Sequence, residues 1–159
     1  MMDVSPELAK VLSFAGAFSA IALASLGSAY GCGVACSTAV GAWKKCYAQN
    51  KPAPFQLVIF AGSPLSQTIY GMIVMFIIMM KIQTHAVNSW PLFLTVGILV
   101  GLAQGFVSIW QGLVGAAASD AFAESRKGFT NLIMAAGIVE TVSIFVMAFA
   151  IVLLGTAAA

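Results

Sequence analysis

Four long apolar stretches occupy almost the whole of this 159-residue chain, and they constrain its fold more than any other feature. Hydrophobic residues make up 61% of the sequence and charged residues only 8%. An ordinary soluble domain carries about a quarter charged residues. Each stretch has room for the roughly twenty helical residues that span the hydrocarbon of a bilayer. The sequence therefore predicts an all-α membrane protein with four transmembrane helices and almost nothing left for a soluble domain.

Short polar segments separate the apolar stretches and set the expected helix boundaries. We predict helices over about residues 10–46, 53–81 and 91–124, and a fourth from just after residue 127 to about residue 155. The links are residues 44–52, residues 83–91, which contain His85, and residues 125–127. The first apolar run continues as far as Trp43, so we do not expect a cleaved signal peptide. The first and third helices exceed the spanning length and should tilt or extend into water.

The chain repeats itself after a shift of 74 residues. The shift superposes Gly27 on Gly101, Ala29 on Ala103, Gly31 on Gly105, Gly41 on Gly115, Ala42 on Ala116, Phe55 on Phe129 and Ala61 on Ala135. The matches span both halves, so the unit is a helical hairpin used twice in parallel. We predict a first hairpin over residues 1–82 and a second over residues 83–159.

Small residues recur at four-residue steps along the first and third helices. The stripes are Gly16, Ala20, Ala24, Ser28, Cys32 and Cys36; Gly27, Gly31, Ala35 and Ala39; Gly97, Gly101 and Gly105; and Ser108, Gly112 and Ala116. Small side chains at this spacing let helix backbones approach closely, which is how membrane helices pack against one another. We therefore expect the first and third helices to form a crowded inner layer, with the bulkier second and fourth helices outside it.

Glu140 is the only acidic residue inside a long apolar stretch. A charged side chain at the bilayer centre costs from roughly 3 to over 10 kcal/mol, and such residues usually mark ion pathways or proton relays. The repeat aligns Glu140 with Ser66, so the first hairpin has a polar residue where the second has its acid. The structural alternative is a protonated glutamate that only hydrogen-bonds a neighbouring helix.

Other polar side chains are expected at the depth of Glu140. At 1.5 Å per residue, Glu140 lies ~20 Å beyond Lys127, Gln67 ~22 Å beyond Pro52, and Gln104 ~24 Å before Asp120. Taken alone, each glutamine is explained equally well by an interhelical hydrogen bond that only holds two helices together. The three together, with Ser66 and Tyr70 beside Gln67, favour a site. Pro64 adds to it, because a proline within a helix frees a carbonyl about one turn earlier and makes the carbonyls of residues 60–63 candidate ligands.

Basic residues in the short links predict the orientation in the membrane. The first and third links hold Lys44, Lys45, Lys51, Arg126 and Lys127, whereas the opposite side holds Lys10, Lys81 and a neutral His85. We therefore expect loops 44–52 and 125–127 in the cytoplasm and both termini outside. Nothing in the sequence indicates a nucleotide site, a catalytic triad or a nucleic-acid surface. The cysteines do not suggest zinc, because the only histidine is far from Cys32 and Cys36; Cys46 is expected to be a free thiol.

Four segments carry a resemblance to a known family: Gly27-Ser-Ala-Tyr-Gly31, Gly101-Leu-Ala-Gln-Gly105, Pro64-Leu-Ser-Gln-Thr-Ile-Tyr-Gly71 and Val139-Glu-Thr141. Over essentially its whole length, the chain resembles the duplicated, four-helix proteolipid c subunit (subunit K) of rotary V-type and A-type ATPases. The resemblance implies a homo-oligomeric ring in the cell membrane. It also implies a stator subunit with an essential arginine, a central-stalk subunit at the cytoplasmic loops, and no enzymatic activity in this chain alone.

The similarity is greatest to the sodium-pumping members. It implies that Na⁺ is held by five groups: the carboxylate of Glu140, the side chains of Gln104, Gln67 and Ser66, and the backbone carbonyl of Ser63. Tyr70 and Thr141 fall in the surrounding shell. The sequence departs from the family pattern at Ser66, where threonine is usual, and at Ser63 and Leu65. About five oxygens favour Na⁺ over H⁺ as the carried ion, and no organic cofactor is implied.

Two other interpretations remain at this point. A small four-helix antiporter with one intramembrane glutamate would exchange protons for a cationic drug, and it predicts aromatic residues around the acid. A purely structural membrane protein leaves the matched depths of the polar residues unexplained.

Overall fold

The computed structural model describes residues 4–84 and 86–157, apart from the side chains of residues 86 and 87. The predicted link around His85 lies partly outside these residues. The described elements are α1 (Pro6–Ala48), α2 (Leu57–Gly62), a 3₁₀ turn (Ser63–Leu65), α3 (Ser66–Gln83), a second 3₁₀ turn (Ala86–Ser89), α4 (Trp90–Ser125) and α5 (Phe129–Gly155). The all-α prediction is confirmed, and the helix ends lie within a few residues of the expected ones.

Four helical segments in the described ranges are long and apolar enough to cross a membrane: Pro6–Ala48, Leu57–Gln83, Trp90–Ser125 and Phe129–Gly155. Their outer faces expose large apolar side chains, among them Phe18, Trp110 and Phe149. Exposed apolar surface on this scale is costly in water and is normal against lipid. The chain is therefore a multi-pass membrane protein.

The second membrane-length segment, Leu57–Gln83, is helical throughout but changes from α to 3₁₀ geometry at Pro64. The 3₁₀ turn Ser63–Leu65 interrupts the helix where the proline ring lacks an N–H. The carbonyl of Phe60, which the proline leaves without its helical donor, accepts a hydrogen bond from the Ser63 hydroxyl at 3.0 Å. The interruption therefore changes the local backbone without leaving that carbonyl unsatisfied.

The closest helix pair is α1 with α4, as the stripes of small residues predicted. A Cβ placed on Gly27 would overlap the backbone of Gly105, and one placed on Gly112 would overlap the backbone of Gly31. Helix α3 packs against α1 and also contacts α4 and α5, whereas α5 packs mainly against α4. The two backbones of α1 and α4 thus form the centre of the bundle, and α5 lies on its edge.

The first and third links lie at the same end of the bundle, where Arg126 connects them. Arg126 caps α4 with left-handed backbone dihedrals (φ 56°). Its guanidinium donates to the carbonyl of Pro52 and lies 3.4 Å from the Cys46 sulfur. Lys45 and Asp120 form an exposed ion pair at 3.5 Å nearby. The two hairpins are therefore joined through their links as well as through their helices.

The cysteines do not all take the packing role that the stripes suggested. Cys36 is exposed and Cys32 is half-buried, so neither lies in the tight α1–α4 contact. Cys46 is a free thiol, as expected, but it is buried at the end of α1 beneath Arg126. The small-residue pattern identified the helix but not which of its stripes faces the partner.

We expect Gly27→Ala to destabilise the bundle, because the new methyl group meets backbone and not a flexible side chain. Overpacking of this kind typically costs about 1–3 kcal/mol. Gly33→Ala is the matched control: it lies on the same helix with no atom within 4 Å of its Cβ. Thermal unfolding in detergent should show a lower midpoint for Gly27→Ala and an unchanged or higher one for Gly33→Ala. Equal midpoints for the two variants would contradict the α1–α4 contact.

Candidate ion-binding site

Glu140 lies on α5 at the junction of α3, α4 and α5, and it is only partly exposed. Each of its carboxylate oxygens meets a donor from a different helix. The Tyr70 hydroxyl on α3 donates to Oε1 at 2.7 Å, and the Gln111 amide nitrogen on α4 donates to Oε2 at 3.4 Å. The acid therefore points into the bundle and is hydrogen-bonded there.

Gln67 extends this network away from the carboxylate. Its side chain is completely buried, and its amide nitrogen donates to the carbonyl oxygen of Gln111. The amide oxygen of Gln67 has no hydrogen-bond partner among the described residues. Buried polar atoms in proteins nearly always have a partner, so an unpaired buried oxygen needs an explanation.

Ser66 and Ser63 lie together at the Pro64 interruption. The Ser66 hydroxyl donates to the Ser63 carbonyl at 3.1 Å, and both residues are half-buried. The carbonyl of Pro64 accepts a 2.6 Å hydrogen bond from Ser108. Ser66 and Ser63 make no hydrogen bond to Glu140 in the described structure. They contribute two oxygens on the helix segment that also carries Gln67.

The structure does not bring Gln104 to Glu140, contrary to the sequence prediction. Gln104 is buried against Ser143: its amide nitrogen donates to the Ser143 carbonyl at 3.0 Å, and the Ser143 hydroxyl donates to its amide oxygen. Gln111, two helical turns along the same face of α4, contacts the acid. In this structure Gln111, and not Gln104, is therefore the glutamine of α4 that lies next to the carboxylate.

The sequence estimate counted depth from Asp120, whereas α4 continues to Ser125. Counted from Ser125, Gln111 lies ~21 Å along the helix and Gln104 ~32 Å. Glu140 lies ~17 Å from the start of α5 at Phe129. Gln111 is thus the closer match in depth when the count starts from the end of the helix and not from Asp120.

Thr141 is also not directed towards the carboxylate of Glu140. It is exposed, and its hydroxyl donates to the Gly137 carbonyl of its own helix at 2.8 Å. Consecutive helical residues point about 100° apart, so the neighbour of an inward-facing residue does not share its face. In this structure the Thr141 hydroxyl makes no hydrogen bond to the carboxylate, and its place in the surrounding shell stays a prediction.

The oxygens near Glu140 define the chemistry available to the site. Carboxylate, amide, hydroxyl and carbonyl oxygens suit hard cations, whereas soft metals prefer sulfur and imidazole. The described residues contain no cluster of three or more histidine, cysteine or acidic side chains that could hold a metal ion. Glu140 is the only carboxylate in this network, so one positive charge balances the site.

Fold and site together define a duplicated four-helix membrane protein with one carboxylate inside the bundle. The family model that describes the C subunit of ATP synthase matches the chain twice, over residues 15–78 and 94–153. The chain therefore belongs to the ATP synthase C-subunit family. The two matches are consistent with the tandem duplication inferred from the repeat.

The chain is also similar to the A-type ATP synthase subunit K of Methanocaldococcus jannaschii, with 30% identity over 145 residues. The aligned region covers 91% of this chain and 62% of the archaeal protein. This chain thus spans less than two thirds of that relative's length. The similarity extends across both hairpins and supports membership of the A/V-type branch.

The glutamine contacts can be tested by double-mutant cycles. Gln67 and Gln111 share a buried hydrogen bond, so we expect the effects of Gln67→Leu and Gln111→Leu on unfolding free energy to be non-additive by about 0.5–3 kcal/mol. Gln67→Leu with Gln104→Leu is the matched control, because these residues share no bond, and its effects should add. Unfolding in detergent measures both cycles; coupling confined to the Gln104 pair would refute the arrangement.

Proposed function

We propose that this chain is a rotor-ring subunit of an A/V-type ATPase that carries Na⁺ across the membrane on Glu140. The single observation that carries the proposal is the buried amide oxygen of Gln67, which has no hydrogen-bond partner among the described residues although its side chain belongs to the network around Glu140. The chain itself breaks no bond. ATP hydrolysis and the resulting torque belong to a separate soluble sector.

In this proposal, Na⁺ is held by oxygens from three helices. The ligands are the Glu140 carboxylate, the amide oxygens of Gln67 and Gln111, the Ser66 hydroxyl and the Ser63 carbonyl. Gln111 takes the place that the sequence prediction gave to Gln104, because Gln111 contacts both Gln67 and Glu140. Tyr70 donates to the carboxylate and fixes its orientation.

The number of oxygens favours Na⁺ over H⁺ as the carried ion. A proton needs only the acid and at most one acceptor, whereas an alkali cation that loses its hydration shell needs several oxygens in exchange. Leaving the Gln67 oxygen unpaired in a proton-carrying site would cost about 1–3 kcal/mol with no compensation. A monovalent cation also neutralises the one carboxylate without leaving a net charge.

The transport cycle follows from the cost of a charged group in lipid. With Na⁺ bound, the site is neutral and tolerates a lipid-facing position while the ring turns. At the stator, the arginine of another subunit stabilises the empty, charged carboxylate, so that the ion leaves on one side and another enters from the other. One carboxylate per four helices carries fewer ions per turn than one per hairpin, which favours pumping against steep gradients.

We expect Na⁺ to protect Glu140 from modification by dicyclohexylcarbodiimide in the purified assembly. Gln111→Leu should raise the half-protecting Na⁺ concentration by at least about tenfold, because a ligand to the charged site is lost. Glu140→Gln is the control, and it should take no label and transport no ion while still assembling. Mass spectrometry of the labelled peptide gives the readout.

Other protection patterns distinguish the rival functions. Protection by high pH alone identifies a proton carrier. Protection by an organic cation and not by Na⁺ identifies the antiporter, for which the amide contacts of Glu140 already offer little support. If neither a cation nor a change of pH affects the labelling of Glu140, only a structural role remains and the proposal is refuted.

We also propose that the first and third links face the cytoplasm, where the central-stalk subunit would contact them. Both links lie at one end of the bundle and carry five basic residues, Lys44, Lys45, Lys51, Arg126 and Lys127. Cysteines introduced at the exposed positions Lys127 and Lys10 in a cysteine-free background test this orientation. A membrane-impermeant maleimide applied to intact cells should label Lys10→Cys and spare Lys127→Cys; the reverse pattern would contradict it.

A further inference from the structure

A second buried polar pair joins α4 to α5 outside the proposed ion site. Gln104 and Ser143 are both 0% exposed, and two hydrogen bonds run between them in opposite directions. The amide oxygen of Gln104 and the hydroxyl of Ser143 are both engaged. Neither side chain is hydrogen-bonded to Glu140, so the pair lies outside the network around the carboxylate.

The pair lies on the same two helix faces as the proposed ion site. Ser143 follows Glu140 by three residues on α5, and Gln104 precedes Gln111 by seven residues on α4. Residues three or four apart share a helix face, and so do residues seven apart. The Gln104–Ser143 pair and the Gln111–Glu140 contact are therefore successive connections along one α4–α5 interface.

Apolar side chains anchor α5 mainly near its ends, where Phe129 packs against Phe60 and Phe122 and where Leu154 is buried in the core. The buried residues of α5 are Ala136, Ser143, Ala150 and Leu154. Two of these are alanines, which present no large side chain that would interlock with a neighbouring helix. The paired hydrogen bonds of Ser143 are directional, and a rotation of α5 breaks both of them. The rotation of α5 determines where the carboxylate of Glu140 points.

We propose that Gln104 and Ser143 are positioning residues that hold α5 in the rotation at which Glu140 meets Tyr70 and Gln111. This inference rests on the proposed ion-carrying function and adds a source of affinity that contacts no ion. The pair preorganises the carboxylate, so its loss weakens binding of every cation by a similar factor. Loss of a true ligand, in contrast, changes the preference among cations.

The test is carbodiimide labelling of Glu140 in the intact assembly, titrated separately with Na⁺ and Li⁺. Gln104→Leu and Ser143→Ala should raise the half-protecting concentrations of both ions by about fivefold, with the Li⁺/Na⁺ ratio unchanged. Ser143→Thr keeps the hydroxyl and should restore protection to within about twofold of the parent. The matched control is Ser13→Ala, because Ser13 is equally buried but bonds only the Ala9 carbonyl of its own helix.

Two results would overturn the proposal. Lower thermal stability in Gln104→Leu and Ser143→Ala with unchanged half-protection would show that the pair only holds the helices together. A changed Li⁺/Na⁺ ratio would show that Gln104 is itself an ion ligand. Ser143→Ala removes a single hydroxyl and keeps the test available if Gln104→Leu fails to assemble.

Labelling of the unmutated protein distinguishes a failure of this inference from a failure of the ion-carrying function on which it rests. If no cation protects the parent, the sodium assignment fails. The pH of half-labelling then replaces the ion titration on the same variants: a shift in Ser143→Ala that Ser143→Thr reverses supports positioning, and no shift refutes it.

Discussion

The position of one partly buried carboxylate within an apolar bundle is the constraint on which the rest of this structure depends. Glu140 gains donors from two neighbouring helices, Tyr70 on α3 and Gln111 on α4. Without them, a group that costs several kcal/mol to bury would have no compensation. The three helices must therefore meet at one depth, and the interior polar residues are arranged around that meeting point.

The glycine contact between α1 and α4 makes this meeting possible. Because α3 packs against α1 and α5 packs against α4, the close approach of α1 and α4 lets α3 and α5 contact each other directly, and Tyr70 hydrogen-bonds Glu140 there. Larger residues at Gly27 or Gly112 would separate α1 from α4. The small residues thus affect the site through helix spacing, although none of them touches the carboxylate.

The two glutamines of α4 show how similar side chains on one helix face take different roles. The amide nitrogen of Gln111 donates to the acid and its amide oxygen accepts from Gln67, so it belongs to the hydrogen-bond network around Glu140. Gln104 satisfies its amide oxygen against Ser143 and holds α5 to α4. The difference comes from the α5 residue that each glutamine meets, which is Glu140 for Gln111 and Ser143 for Gln104. Neither role follows from the sequence of α4 alone.

The sequence by itself determined the number of helices, their duplication, the close pairing of the first and third spans, and the buried acid, because composition and spacing record these directly. Tertiary structure alone decided that Gln111 and not Gln104 meets Glu140, that Thr141 faces outward, and that Arg126 joins the two links. These outcomes depend on the axial offset and rotation of one packed helix against another. A linear sequence does not fix those two quantities, since the boundary of each helix and the packing of its neighbours set them together.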